Sequence, residues 1–329
     1  MKRALKYIIV VCLSVVLFGS KPADPYPQAE ITNGLIRAKL YLPDSQTGFY
    51  RGARFDWAGV IPELEYKGHS YFGKWHDKEH DPTFHEHTAG PVEEFVPVGF
   101  DEAKPGETFL KIGVGMLVKP EEEKYSFVTT YENTNSGTWQ VKKKKDQVLF
   151  MQVLNDSKYA YEYHKSVQLV KGKPEMVLTH SLKNTGKQTI ETSVYDHNFF
   201  MLDNQPIGPD YEVTFPFTLA TETPDASPLG KLKANQIVFD KVLATNSDHL
   251  FYRSITGFGK SARDYDIKIE NHKTGAAVRI TGDRPLSKIV FWSAPKTVCP
   301  EPYIKLRIQP GETFQWKINY QFYTLPAVK

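Results

Sequence analysis

Residues 176–200 read MVLTHSLKNTGKQTIETSVYDHNFF. Met176 to Leu182 and Thr189 to Tyr195 are rich in Val, Leu, Ile, Thr and Tyr, most of them residue types that fit the pleated, half-buried surface of a sheet. Between them Asn184-Thr185-Gly186 offers residues that tolerate positive φ, so the stretch predicts a β-hairpin. Its second strand delivers His197 among Asp196, Asn198, Phe199 and Phe200.

The same pattern continues in both directions. Ile31 to Leu42, Ile61 to Phe72, Thr108 to Val118, Tyr125 to Tyr131, Gln147 to Leu154 and Tyr161 to Val170 precede the hairpin. Leu250 to Ile255, Lys288 to Trp292, Ile304 to Ile308 and Thr313 to Tyr323 are among those that follow. Turn signals punctuate them at Asn33-Gly34, Lys67-Gly68 and Lys171-Gly172. No amphipathic helix of ordinary length is read anywhere, and many short strands without helices predict an all-β sandwich or barrel. No fixed-period repeat is seen, which argues against a propeller or solenoid. The lysine run Lys142 to Lys145, flanked by acidic residues, reads as the solvated end of a hairpin. Thr221 to Ser227, with Pro224 inside it, is the most linker-like stretch.

At the N-terminus, Lys2, Arg3 and Lys6 precede an apolar run from Tyr7 to Phe18, followed by Gly19 and Ser20. This predicts a secretory signal over residues 1–20. The run is shorter than the about 20 apolar residues that span a bilayer, so no stable membrane anchor is expected. Residues 21–30, with Pro22, Pro25 and Pro27, read as an extended leader, and residues 31–329 as a single domain. The expectation is an exported protein, periplasmic or extracellular.

The chain has 329 residues, with 41 Lys plus Arg against 38 Asp plus Glu. Without the three cations of the signal, basic and acidic residues are equal in number, so no basic field is left to hold nucleic acid. Cys12 would leave with the signal, and Cys299 would then be alone, unable to form an intramolecular disulfide. No Gly-x-Gly-x-x-Gly, phosphate-loop or Gly-x-Ser-x-Gly pattern is present.

Three places gather groups capable of chemistry. In Tyr50-Arg51-Gly52-Ala53-Arg54-Phe55-Asp56-Trp57 two arginines and a carboxylate stand beside aromatic faces. That combination suits a sugar, with hydroxyls on its edges and C–H groups on its faces; the alternative is an Arg–Asp pair that ties down a loop. His76, His80, His85 and His87 are interspersed with carboxylates, and a strand would point His85 and His87 to one side. Without a His-Glu-x-x-His pattern or a cysteine partner, they read as an exposed loop rather than a ligand set, and no metal is expected. Of the adjacent Glu93 and Glu94 only one could face a ligand, because neighbouring side chains on a strand diverge; Glu93 is taken as the candidate. The third place is His197 with Asn198, together with Glu301, held on stiff backbone between Pro300 and Pro302.

The hairpin ending in His197-Asn198-Phe199-Phe200 resembles the segment of aldose 1-epimerases, the galactose mutarotase-like superfamily, that carries the catalytic histidine. Cys299-Pro300-Glu301-Pro302, followed by Pro310-Gly311-Glu312 and a last strand with aromatic residues, is similar to that family's C-terminal block with its catalytic glutamate. The resemblance implies a β-supersandwich, His197 as acid, Glu301 as base, and Arg54 or else Arg51 as a substrate-binding arginine; Asp56 and Trp57 are candidates from their place in the same local cluster. It also implies a small sugar as partner and no cofactor. The expected reaction is anomer exchange: one group takes the C1 hydroxyl proton, the other protonates the ring oxygen, and the ring opens, rotates and closes on its other face. A non-catalytic carbohydrate-binding protein and a polysaccharide lyase-like enzyme on the same fold type remain alternatives. The segment departs from the family's usual His-Pro-Tyr-Phe-Asn by lacking the proline and the asparagine after the aromatics.

Overall fold

The computed structural model describes residues 25–222 and 227–326. The signal expected over residues 1–20 lies outside them, as does part of the linker-like stretch. The leader ends earlier than expected, since Gln28–Thr32 is already a strand, paired with Ile36–Tyr41 around the Asn33-Gly34 turn.

The described chain is built of antiparallel strands, with only two single-turn 3₁₀ segments between them. Ten strands form one sheet, running from Gly230–Lys233 at one edge to Thr138–Lys143 at the other. Its centre is Thr313–Thr324, Glu175–Asn184 and Ala160–Leu169. Six strands form the second sheet, in the order Ala220–Thr221, Leu250–Thr256, Lys288–Ala294, Thr297–Ile308, Ile190–Phe199 and Gly90–Phe95. The stretch 176–200 is therefore not the paired hairpin expected: its first strand joins one sheet and its second the other. Thr185-Gly186 is the corner.

Between these sheets lies the main core, where Trp316, Tyr161, Tyr163 and Phe150 are wholly enclosed with Ile289, Phe291 and Leu306 of the opposing layer. Burying an aromatic or branched aliphatic side chain of this kind stabilises by about 1.5–3 kcal/mol. A second apolar cluster, with Tyr50, Phe55, Trp57, Phe109, Phe199 and Cys299, lies on the other face of the six-stranded sheet. Loops and a small sheet of Thr108–Lys111, Gly115–Val118 and Asn133–Asn135 cover it. The all-β sandwich expected from the sequence is what the structure has.

One expected strand is absent. Tyr125 to Tyr131 is a loop whose rings serve tertiary contacts: Tyr125 and Tyr131 stack at 5.5 Å, and Phe127 lies over the Arg54 guanidinium at 4.1 Å. Strand-like composition there reflects aromatic packing rather than ladder pairing. The lysine run does end a hairpin, between Thr138–Lys143 and Gln147–Asn155.

Candidate active site

Strand register brings the histidine and the glutamate together. Tyr195 pairs with Tyr303, and a further bridge joins Phe200 to Val298; between these points His197 falls directly opposite Glu301. Opposed residues on one face of an antiparallel pair stand side by side, with Cβ atoms about 4.5–5.5 Å apart. Accordingly His197 Nε2 lies 3.4 Å from Glu301 Oε1.

Alternation along Ile190–Phe199 assigns Tyr195, His197 and Phe199 to the loop-covered face, and Asp196 and Asn198 to the interior. Phe199 stacks on the imidazole at 4.0 Å, while Phe55 and Trp292 meet its edge at 5.5 Å and 5.7 Å. His197 Nδ1 has no hydrogen-bond partner among the described residues. Burial, with the Arg54 guanidinium adding to it, pushes the imidazole well below its ordinary pKa. Burial acts oppositely on the carboxyl, pushing Glu301 up to about 8 against the pull of Arg54. At neutral pH the pair therefore holds one proton, on the carboxyl.

A cavity of about 360 Å³ opens over this pair, walled by Arg54, Glu94, Tyr195 and Tyr303, with Phe127 and Phe251 at its rim. Arg54 donates from Nε to Glu94 Oε2 at 2.7 Å and from Nη1 to Glu86 Oε1 at 3.3 Å. The rings of Phe55 and Phe127 lie within 4.5 Å and 4.1 Å of the guanidinium carbon. Lys111 Nζ donates to Glu94 Oε1 at 3.2 Å and to the Tyr125 hydroxyl at 3.0 Å. Burial alone would raise the Glu94 carboxyl, but the Lys111 ammonium and the Arg54 guanidinium hold it below its ordinary value. Tyr195 Oη donates to the same carboxylate.

Of the residues singled out in the sequence, His197, Glu301 and Arg54 meet in this cavity. The others do not. Arg51 turns away and donates to the Gln46 carbonyl at 2.7 Å. Trp57 is buried, its indole N–H donating to the Gly52 carbonyl at 2.9 Å, so it braces the loop that carries Arg54. Asp56, Glu93 and Asn198 point between the sheets. There Tyr163 donates to Asp56 Oδ2 at 3.0 Å, and Tyr320 Oη lies 2.7 Å from Asp196 Oδ2 and 2.9 Å from Asn198 Oδ1. Glu93 takes Lys165 and, at 2.5 Å, His180. Burial would raise the Glu93 carboxyl, yet the Lys165 ammonium first, and the His180 ring after it, hold it at about 2. Burial pushes Asp56 to about 7 and Asp196 to about 8.

The choice of Glu93 over Glu94 is thus reversed: strand alternation is correct, but the parity was unknown without the pairing partner. Glu94, Glu86 and Tyr195 were missed as cavity residues, as was Lys111, buried behind Glu94. Tyr195 was within reach, since it lies two positions from His197 and so shares its face.

The histidine loop contains no strand, so His85 and His87 do not share a strand face. His85 Nε2 lies 3.7 Å from Glu86. Ring nitrogens of His76, His80 and His87 come within 4.8 Å of one another. However, His76 and His87 are stacked face to face, 4.0 Å apart and 6° from parallel. A ligating lone pair lies in the plane of its ring, so two stacked rings cannot both aim at one ion. His87 Nδ1 also accepts the Asp81 N–H at 2.8 Å, which leaves the ring proton on Nε2. These rings form a stacked wall rather than a metal cage.

No family model matches the chain, and no curated protein matches it in sequence. Solved structures do. The Slr1438 protein of Synechocystis sp. PCC 6803 aligns with a TM-score of 0.57 at 14% identity, over 93% of this chain and 99% of that one. A galactose mutarotase related enzyme from Lactobacillus acidophilus gives 0.53 at 14%, over 92% and 99%. The GalM/aldose epimerase homologue of C. elegans gives 0.52 at 13%, over 92% and 100%. Across nearly its whole length, and despite this low identity, the chain has the galactose mutarotase-like fold.

Proposed function

We infer that the protein is a carbohydrate-active enzyme of the aldose 1-epimerase type. The observation that carries this reading is the His197–Glu301 pair, 3.4 Å apart on the floor of a sugar-sized cavity. The two oxygens involved in anomer exchange are bonded to the same carbon. An acid and a base serving both must therefore stand side by side rather than across the ring, and register in the sheet supplies that placement.

Exchange needs one proton shared by the pair. With the proton on Glu301 and a neutral His197, the carboxyl protonates the ring oxygen while the imidazole takes the C1 hydroxyl proton. The C–O ring bond breaks, the aldehyde rotates about C1–C2, and closure on the other face returns both protons. The roles that the resemblance implies, Glu301 as base and His197 as acid, are the other tautomer of the same one-proton pair. Phe199 and Trp292 fix the imidazole plane, and Arg54 offers a fork anchored by Glu94 and Glu86 to a substrate hydroxyl.

The test follows anomer equilibration by polarimetry or NMR over a panel of aldoses and uronic sugars. Wild type is expected to accelerate exchange on at least one sugar. Glu301→Gln and His197→Asn are each expected to lose about 10²–10⁴-fold, the usual worth of a positioned acid or base. Binding without acceleration would leave a carbohydrate-binding protein instead. Export is part of the same proposal: the basic, apolar and small-residue order of residues 1–20 supports it, and N-terminal sequencing of the protein recovered outside the cytoplasm tests it.

A further inference from the structure

The cavity over the acid–base pair is bounded on one side by Trp292. A second chamber of about 330 Å³ adjoins it, and both share Trp292 and Glu86 in their walls. Each volume falls within the range of about 300–1,000 Å³ typical of ligand sites. The indole of Trp292 is the partition. On one side it meets His197 edge-on at 5.7 Å, and on the other His249 stacks beside it at 5.6 Å while Trp75 meets it edge-on at 5.5 Å.

The lining of the second chamber has a definite chemistry. Trp75, Phe84 and Trp292 line it with aromatic rings. Charges in its wall are balanced, with Lys78 and Lys296 against Asp77 and Glu86, and Lys296 already paired with Asp77. A phosphate or carboxylate ligand would find no surplus cation there. Asn246 and His249 add an amide and an imidazole to its polar lining. Aromatic rings, balanced charge and hydrogen-bonding side chains together describe a neutral, hydroxyl-bearing ring.

We propose that this chamber is a second saccharide subsite and that the ligand is a reducing disaccharide or longer chain. Its terminal ring lies over His197 and Glu301, and its next ring crosses Trp292 to lie between Trp75 and His249. Which ring has the free C1 hydroxyl rests on the functional reading above; occupancy of the chamber does not.

Titration calorimetry with glucose, galactose, maltose, cellobiose and lactose tests the proposal on wild type, His249→Ala and Ala244→Trp. Both substitutions are at exposed positions that line only the second chamber; the first removes a wall and the second fills the space. At least one disaccharide is expected to bind wild type about tenfold tighter than its constituent monosaccharide. In both variants the ratio of the two affinities is expected to fall towards one. Equal affinities for mono- and disaccharides in wild type, or a ratio unmoved by both substitutions, overturns the subsite. Chamber-dependent disaccharide binding without anomer exchange on any sugar keeps the subsite and sinks the catalytic reading. Exchange on monosaccharides with no gain from a second ring does the reverse.

Discussion

Glu93 and Glu94 are neighbours in the chain, yet they face opposite sides of the strand Gly90–Phe95 and belong to different ion networks. Glu94 joins Arg54 in the cavity wall and the buried Lys111 behind it, whereas Glu93 joins Lys165 and His180 between the sheets. One strand thus supports the candidate site on one face and the sandwich interior on the other.

The interior network predicts a stability effect separable from activity. Glu93→Gln leaves the buried Lys165 ammonium with Asp56 Oδ2, 3.7 Å away, as its remaining carboxyl neighbour, and breaking a buried pair in this way costs about 3–5 kcal/mol. Urea denaturation should show that loss. Glu93→Gln combined with Lys165→Met should recover part of it, because the ammonium that lost Glu93 is then gone as well. Equal destabilisation in the single and double variants would contradict this account.

The acid–base pair predicts a pH–rate profile. Glu301 titrates at about 8 in the folded protein, so kcat/KM for anomer exchange should fall as pH rises through about 8, where the pair loses its only proton. A second fall is expected on the acid side, below the ordinary histidine pKa, because His197 must be neutral for the pair to hold a single proton. A rate that keeps rising above pH 9 would exclude the one-proton pair.

The same carboxyl shapes stability. Its pKa is about 8 folded against an ordinary 4.5, so between those values the folded protein binds the proton that the unfolded chain has released. Its stabilising contribution is fully present below about 4.5 and is lost as pH rises to about 8. Glu301→Gln carries no such proton. The variant should therefore gain on wild type in melting temperature across that window and hold a constant advantage above it. A constant difference from pH 4 to 9 would refute the shift. Asp56 and Asp196 titrate in the same range, and comparing the variant with wild type cancels them.

Arg54→Lys keeps a cation but loses the fork that reaches Glu94, Glu86 and the Tyr195 hydroxyl. We expect a rise in KM of about tenfold or more, larger than the change in kcat, since the role proposed for the arginine is to hold substrate rather than to move a proton. A fall in kcat alone would reassign it.

Gly90 opens the strand that carries both glutamates, at φ +74°, and a Cβ there would sit 2.6 Å from the Ile61 carbonyl oxygen. Gly90→Ala should lower stability and exchange activity together, measured by melting temperature and polarimetry. A variant with wild-type stability would show that the backbone can relax at this point.

Much of this architecture could be read from residue order. Turn residues at 33–34, 67–68 and 184–186 marked real corners, and the Val-, Ile- and Tyr-rich runs were mostly strands. Tyr125 to Tyr131 misled because stacked aromatics and strand residues share a composition. His197 and Glu301 were legible only through resemblance, since the register that sets them side by side is a property of two strands about a hundred positions apart. Glu86 and Lys111 had no local signal; Glu86 reaches the cavity through the packing of a loop, and Lys111 reaches Glu94 behind it from a small sheet. The second chamber was equally hidden, because Trp75, His249 and Trp292 come from three distant segments.

The acid–base pair is set into hydrogen-bonded strands, whereas Phe127, Glu86 and Arg54 come from connecting loops. Insertions, deletions and substitutions in those connections can therefore reshape what the mouth admits while the proton-transfer geometry stays fixed. Diversification of the accepted sugar would leave its record in the loops and almost none on the floor.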